Sequence, residues 1–401
     1  MTAHLPIAVT GLGSISALGC GIEAGYAGYH QGKARLTARS FDGTRVAVGA
    51  LPTEAEGVLD AFCQQYPRYA DLDRTAQLGL LAADQAIGQA GWWGRGTLGV
   101  VLGSSRGATG LLESYHADFL GSPSRKVPPL TSPNTTLGNL SSWVAQHVGS
   151  AGPATEMSST CSTSIYAIGT AAAWLRAGMA PRFLAGGTEA PLTGFTVAQM
   201  RALRVLSKEP TVDYPCRPCA ANAGRTNTMV LGEGACVLAL EPYAGPRPEG
   251  PPVLGLLVGM GFAVEPIQTH TGLSEEGLSL RLSMTRALED AGLDRVDAVV
   301  THTPGTSLGD RAELSAIRNV FGTEQPVLTS NKWILGHTLG ASGALGLQYA
   351  LHLLHHQHWA EYPYPTVLRN EPRRFDTVMV NSVGFGGNAG SIIVAVEETR
   401  R

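Results

Sequence analysis

At 401 residues, with 50 glycines and 15% charged residues, the chain can form one large domain or two halves of ordinary size around a substantial core. Its net charge of −3 leaves no basic footprint for nucleic acid, and no apolar run reaches membrane-spanning length. The opening MTAHLPIAVTGLGS lacks the regions of a signal peptide. The scattered cysteines fit free thiols in a reducing, cytoplasmic compartment better than a disulfide framework.

Residues 6–10 read as a strand, and GLGSISALG follows. The glycines suggest a phosphate loop, but Ser16 stands where a third glycine would complete GxGxxG, which argues against a nucleotide site. Residues 73–90 carry Leu78, Leu81, Ala82 and Ile87 at helical spacing. A short buried strand at 98–102 ends in GSSRG, and 133–148 reads as a helix. Within 156–178, Cys161 stands among Ser and Thr residues, followed by Ile165, Ile168, Ala172, Leu175 and Met179 at steps of three and four. The thiol therefore falls at or just before the first turn of a half-buried helix. Unpaired N–H groups and the helix dipole there favour the thiolate, the reactive form; a small buried hydrophobe is the competing reading. A strand at 183–185 runs into GGTEA. Cys216-Arg-Pro-Cys219 lies in an irregular stretch, 204–227, without a matching second ligand pair, and reads as structural rather than as a zinc or redox site. Residues 231–240 are strand-like, and the Pro/Gly cluster at 241–253 marks the best boundary, giving halves 1–245 and 253–401.

Beyond it, strands at 253–259, 296–301, 327–330 and 377–382 alternate with helices at 278–291, 312–320 and 339–358. The alternation predicts a layered α/β fold with mostly parallel pairing, and the halves hint at one topology used twice. His302 ends a strand and opens a small-residue loop through Thr306, Asp310 and Glu313. Lys332 and His337 stand five residues apart, just before a helix. Residues 381–388 form a glycine-dense loop around Phe385 that can present backbone N–H groups. His355, His356 and His358 lie at a polar helix end and need no function. A helix-start cysteine, two loop histidines, a lysine and an amide-presenting loop are the parts that thiol acyl transfer requires.

The stretches IAVTGLGSISALG, STCSTS, LGEGA, THTPGTSLGDRAE, NKWILGHTLGASG and NSVGFGGN, in this order and spacing over nearly the whole length, resemble the β-ketoacyl-acyl carrier protein synthases of the thiolase-fold superfamily. The resemblance implies a five-layered α-β-α-β-α sandwich of two similar halves. It implies that Cys161 is the nucleophile, with His302, His337 and Lys332 as its catalytic partners. Cys161 and Phe385 would supply the oxyanion hole, and Phe385 would gate the acyl site. Thr306, Thr271 and Arg106 would meet substrate, and Asp310 and Glu313 would support the histidine loop. No metal or redox cofactor takes part; phosphopantetheine arrives on the acyl carrier protein, the expected partner. The chain would act as a homodimer, or beside a chain-length-factor-like paralogue. The implied reaction is decarboxylative Claisen condensation with malonyl-acyl carrier protein, in fatty acid or polyketide synthesis.

The sequence departs from the family pattern at several points. Pro304 replaces a threonine after His302, Arg217-Pro-Cys219-Ala220 lacks an aromatic and an acid, Asn388 stands for a threonine, and Val383 for a phenylalanine. These changes suggest a specialised relative of polyketide or aryl-polyene type. Arg106 occupies a place usually aliphatic beside the acyl chain; a guanidinium there must pair, turn away or meet a polar substrate group. A chain-length-factor subunit would have lost the cysteine, and a thiolase working on coenzyme A would carry a second cysteine in the GFGGN loop.

Overall fold

The computed structural model describes residues 5–94, 96–221, 226–246, 250–266, 273–371 and 373–397. The first half supplies strands β1 (Ile7–Ser16), β2 (Gly99–Gly103), β3 (Ala154–Met157), β4 (Phe183–Glu189) and β5 (Gly234–Pro242), with helices α1 (Arg74–Ala90), α2 (Asn139–His147) and α3 (Thr163–Arg176) between them. The second half supplies β6 (Gly255–Val264), β7 (Ala298–Val300), β8 (Val327–Thr329), β9 (Thr377–Val383) and β10 (Asn388–Ala395), with helices α4 (Leu278–Ala291), α5 (Ser307–Phe321) and α6 (Ser342–His356). The strand order is β3-β2-β4-β5-β1 in one half and β8-β7-β9-β10-β6 in the other, the same topology twice. Pairing is parallel around β2 and β7, but β5 and β10 run antiparallel to both neighbours, so the expectation of mostly parallel pairing is corrected. In the second half β10 follows β9 through a short loop, as antiparallel neighbours allow, whereas in the first half a helix and a long irregular stretch separate β4 from β5.

Antiparallel pairing of β1 with β6 joins the halves. Helices α3 and α6 lie between them and touch strands of both. Helix α1 covers the outer face of the first half, and α4 that of the second, which completes five layers. Successive strand residues face opposite layers, as a pleat demands. Val101, Val300 and Ile392 join the central core around α3 and α6, whereas Val100 packs with α1 and Val299 and Ile393 pack with α4.

The glycines of IAVTGLGSIS belong to a strand, not to a phosphate loop. A Cβ on Gly11 or Gly13 would come within 2.3 Å or 1.9 Å of the Ala86 or Ala82 carbonyl of α1. The second half repeats the device: a Cβ on Gly259 or Gly261 would meet the carbonyl of Ala287 at 2.2 Å or of Ser283 at 2.0 Å on α4. Bare backbone at these positions lets a helix lie directly on a strand. Among the described residues no helix is long and apolar enough to cross a membrane, and the six cysteines are free thiols.

Candidate active site

Cys161 stands in the turn between β3 and α3, two residues before the helix begins. Thr160 before it takes a positive φ of 49°, unusual for a β-branched residue. The turn is held by Thr163, whose hydroxyl donates to the Thr160 carbonyl at 2.6 Å and accepts from the Ser159 N–H at 2.8 Å. From the other half, Ser382 Oγ donates to the Cys161 carbonyl at 2.9 Å. Burial, then the Glu189 carboxylate, pushes the Cys161 thiol up to about 12, with Lys332 acting the other way. The helix start therefore does not leave a resting thiolate, contrary to the expectation from the dipole; enclosure outweighs it.

His302 lies just past β7. Glu313 of α5 clamps the backbone there, accepting from the His302 N–H at 2.9 Å and the Thr303 N–H at 2.8 Å, with Asn381 Nδ2 donating to it at 3.1 Å. Asp310, one turn earlier, accepts from the Gly305 N–H at 3.0 Å and the Cys219 N–H at 2.9 Å, which ties the Cys216–Cys219 loop to the histidine loop. Burial pushes the Asp310 carboxyl up to about 7. Lys332 is buried and donates to the carbonyl of Thr301, the residue before His302, at 3.5 Å. Burial brings its ammonium down to about 8 despite the opposing pull of Glu313.

His337 precedes α6. Its N–H donates to the Val230 carbonyl at 2.7 Å, and its own carbonyl accepts from the Gly232 N–H at 2.9 Å, so LGEGA acts as a backbone splint for this histidine. The His302 and His337 rings meet edge to face, with centroids 5.1 Å apart. One ring nitrogen of each and the Cys161 sulfur all lie within 4.8 Å of one another. Burial and the Lys332 charge hold both histidines well below their usual range, and His337 adds to this for His302, so both are neutral near pH 7.

These three side chains open into one cavity, which Phe385, Gly384, Thr306 and Pro304 also line. Thr160 Oγ1 donates to the Phe385 carbonyl at 3.2 Å. A Cβ on Gly384 would fall 2.8 Å from the Cys161 nitrogen and 1.8 Å from Thr160 Oγ1, so only glycine lets this loop close on the Cys161 turn. Among the described residues no other residue accepts a hydrogen bond from the N–H of Cys161 or of Phe385. Arg106 is not among the residues lining this cavity: its guanidinium donates to Gln199 Oε1. Thr271 lies outside the described residues.

Sequence reasoning passed over Glu189, the buried last residue of β4. Its carboxylate accepts from Ser104 Oγ at 2.6 Å, the Ser105 N–H at 2.9 Å, Ser105 Oγ, the Arg106 N–H at 3.2 Å and the Gly340 N–H at 2.9 Å. An acid ending an apolar strand was the available signal, because a buried carboxylate requires partners.

The sequence matches the family described as "Beta-ketoacyl synthase, N-terminal domain" over residues 5–244, and its "C-terminal domain" over 254–363. The chain belongs to the beta-ketoacyl synthase family. It is a condensing acyltransferase of that family. Similar curated proteins include the 3-oxoacyl-[acyl-carrier-protein] synthase 2 of Vibrio cholerae, 28% identical with 96% of this chain and 98% of the relative covered. The protein of the same name from Staphylococcus aureus is 27% identical, covering 98% and 99%. Among solved structures, a beta-ketoacyl synthase from Burkholderia phymatum superposes with a TM-score of 0.81 at 26% identity, covering 98% of this chain and 99% of that one. A type II PKS ketosynthase, in complex with its acyl-carrier protein, superposes with a TM-score of 0.84 at 21% identity, covering 98% and 99%.

Proposed function

We propose that Cys161 accepts an acyl group from an acyl carrier protein and condenses it with malonyl carrier, releasing CO2 and forming a 3-oxoacyl carrier. The observation that carries the assignment of roles is the meeting of the Cys161 sulfur with a ring nitrogen of each histidine, all within 4.8 Å. As the sulfur attacks the thioester carbon, its proton passes to a neutral histidine, so no free thiolate is needed at rest. The N–H groups of Cys161 and Phe385 would receive the oxyanion. Collapse breaks the carbon–sulfur bond to the carrier, whose thiol leaves with the proton. In the second stage the bond to the malonyl carboxylate breaks, CO2 departs, and the electron pair moves into an enolate. Neutral His302 and His337 donate to its oxygen, where charge develops. The enolate carbon attacks acyl-Cys161, the carbon–sulfur bond to Cys161 breaks, and a proton taken up from solvent regenerates the thiol.

Pro304 and the Cys219-Ala220 departure favour a polyketide or polyene pathway over general fatty acid synthesis. A dimer, with itself or with a chain-length-factor-like paralogue, and a cytoplasmic setting complete the reading. Presence of Cys161 together with both histidines disfavours a non-catalytic partner role. The test is mass spectrometry of the protein after incubation with a panel of acyl carriers. An adduct on Cys161, absent in Cys161→Ala, is expected together with loss of condensation in that variant. Comparable elongation by Cys161→Ala would overturn the assignment.

A further inference from the structure

A second cluster of metal-ligating side chains lies outside the catalytic cavity. His30 lies in the last turn of the helix Ile22–Gln31 of the first half, His352 sits on α6 of the second, and His358 follows that helix. Gln357 takes a left-handed φ of 53°, and the chain turns there just after α6. One ring nitrogen from each of the three lies within 4.8 Å of the others. The His30 and His358 ring centroids are 4.7 Å apart, and those of His352 and His358 are 6.1 Å apart at right angles.

His352 supplies the independent observation. It is fully buried, yet neither ring nitrogen has a hydrogen-bond partner among the described residues, and His358 Nδ1 is likewise buried and unpartnered. Tyr26, Tyr29 and Tyr349 pack their rings around His352 at 5.5, 5.8 and 6.1 Å without engaging its nitrogens. A buried polar group left unused is a cost that native proteins rarely carry without a reason. Coordination would satisfy it.

We propose that His30, His352 and His358 form a binding site for a divalent transition metal ion of the zinc class, stapling the first-half helix Ile22–Gln31 to the end of α6. Three imidazoles without a thiolate suit zinc, and also cobalt, nickel and copper, with a fourth position left for water. Ligand nitrogens around a tetrahedral ion sit roughly 3.3 Å apart when each bond is about 2.0–2.1 Å, so the rings need close by no more than about 1.5 Å. His30 is exposed and His358 half-buried, which leaves them free to make that adjustment. The polar helix end that needed no function in the sequence thus contributes one ligand, and the fully buried His352 contributes another.

The test is titration of the metal-stripped full-length protein with Co2+, read by visible d–d absorption, and with Zn2+, read by equilibrium dialysis. Cys161, His302 and His337 form the other cluster able to take an ion, so every titration is repeated on Cys161→Ser. We expect a single tetrahedral cobalt site lacking a thiolate-to-metal charge-transfer band and retained in Cys161→Ser. His30→Ala and His358→Ala should each weaken binding about 100-fold, since losing a direct ligand costs at least as much as losing a supporting one. Zn2+ should raise the thermal midpoint of the wild type and not that of His358→Ala. His30 is exposed and His358 only half-buried, so folding survives in these variants even where His352→Ala fails. Undiminished binding by both variants, a cobalt site that vanishes in Cys161→Ser, or no binding by the wild type would each overturn the proposal.

Discussion

Lys332→Met separates the electrostatics of the site from its packing. The wild-type ammonium is 3% exposed and donates to one carbonyl at 3.5 Å. Burial lowers it from 10.5 to about 8. A fall of about 2.5 pH units, at about 1.36 kcal/mol each, means that keeping the charge costs the folded state roughly 3 kcal/mol at neutral pH. The unfolded chain holds this proton up to about 10.5, whereas the folded chain releases it near 8. Between those values the unfolded state binds more protons, so wild-type stability rises with pH across that window. Methionine removes that rise. It also relieves the burial cost while losing a charged hydrogen bond worth about 1.5–3 kcal/mol, so stability at pH 7 should stay within about 1–2 kcal/mol of wild type. Activity should respond differently. After burial itself, the Lys332 charge holds His302 and His337 below their usual range. Without it, each imidazolium forms at higher pH and can no longer take the Cys161 proton. The acid limb of Cys161 acylation should therefore move to higher pH in the variant. Urea unfolding across the pH range and stopped-flow acyl loading measure the two effects. An acid limb unchanged from wild type would refute the claim that Lys332 sets the local field.

Gly384→Ala forces a methyl to within 1.8 Å of Thr160 Oγ1 and 2.8 Å of the Cys161 nitrogen; a displacement of about 1 Å should cost about 100-fold in kcat/KM while the fold survives. Comparable turnover would show that the loop is not needed for the oxyanion site. Glu189→Gln removes a charge that raises the Cys161 thiol, so alkylation of Cys161 by iodoacetamide should begin at lower pH, with stability down by about 1–3 kcal/mol for the mispaired amide. An unmoved alkylation profile would contradict this coupling. His302→Ala and His337→Ala should still load Cys161 but release little CO2 from malonyl carrier; normal release by both would defeat the proposed division of labour. Arg106→Ile should leave acyl-length preference unchanged, because the guanidinium turns to Gln199 rather than into the cavity. A gain for long saturated chains in an elongation series would show that Arg106 restricts the acyl site.

The layered fold was legible because strand and helix periods alternate cleanly after residue 253, and the candidate site because Cys161, His302 and His337 each stand at an element boundary. Other parts were hidden for physical reasons. Strand β10 begins NAGS, residues that favour turns, and only burial between β6 and β9 makes it a strand. The duplication is faint in the sequence because packing preserves Gly11, Gly13, Gly259 and Gly261 against their helices but leaves most neighbours free to vary in identity. The direction of the Cys161 shift was misread because the dipole at a helix start is visible in a sequence, whereas the enclosure that outweighs it comes from residues far along the chain.

The duplicated topology also explains why a site built on neutral groups can handle anions. Cys161 precedes α3 and His337 precedes α6, the two helices that occupy equivalent places in their halves. Folding the halves face to face therefore brings two helix N-termini, each with the positive end of its dipole, to one cavity. Buried Lys332 adds a formal charge of the same sign. Burial first, and then the Lys332 charge, keep both histidines neutral, while the positive field favours an oxyanion or enolate that forms only during reaction. Burial and the Glu189 carboxylate keep the Cys161 thiol protonated at rest, and the positive field acts where negative charge develops.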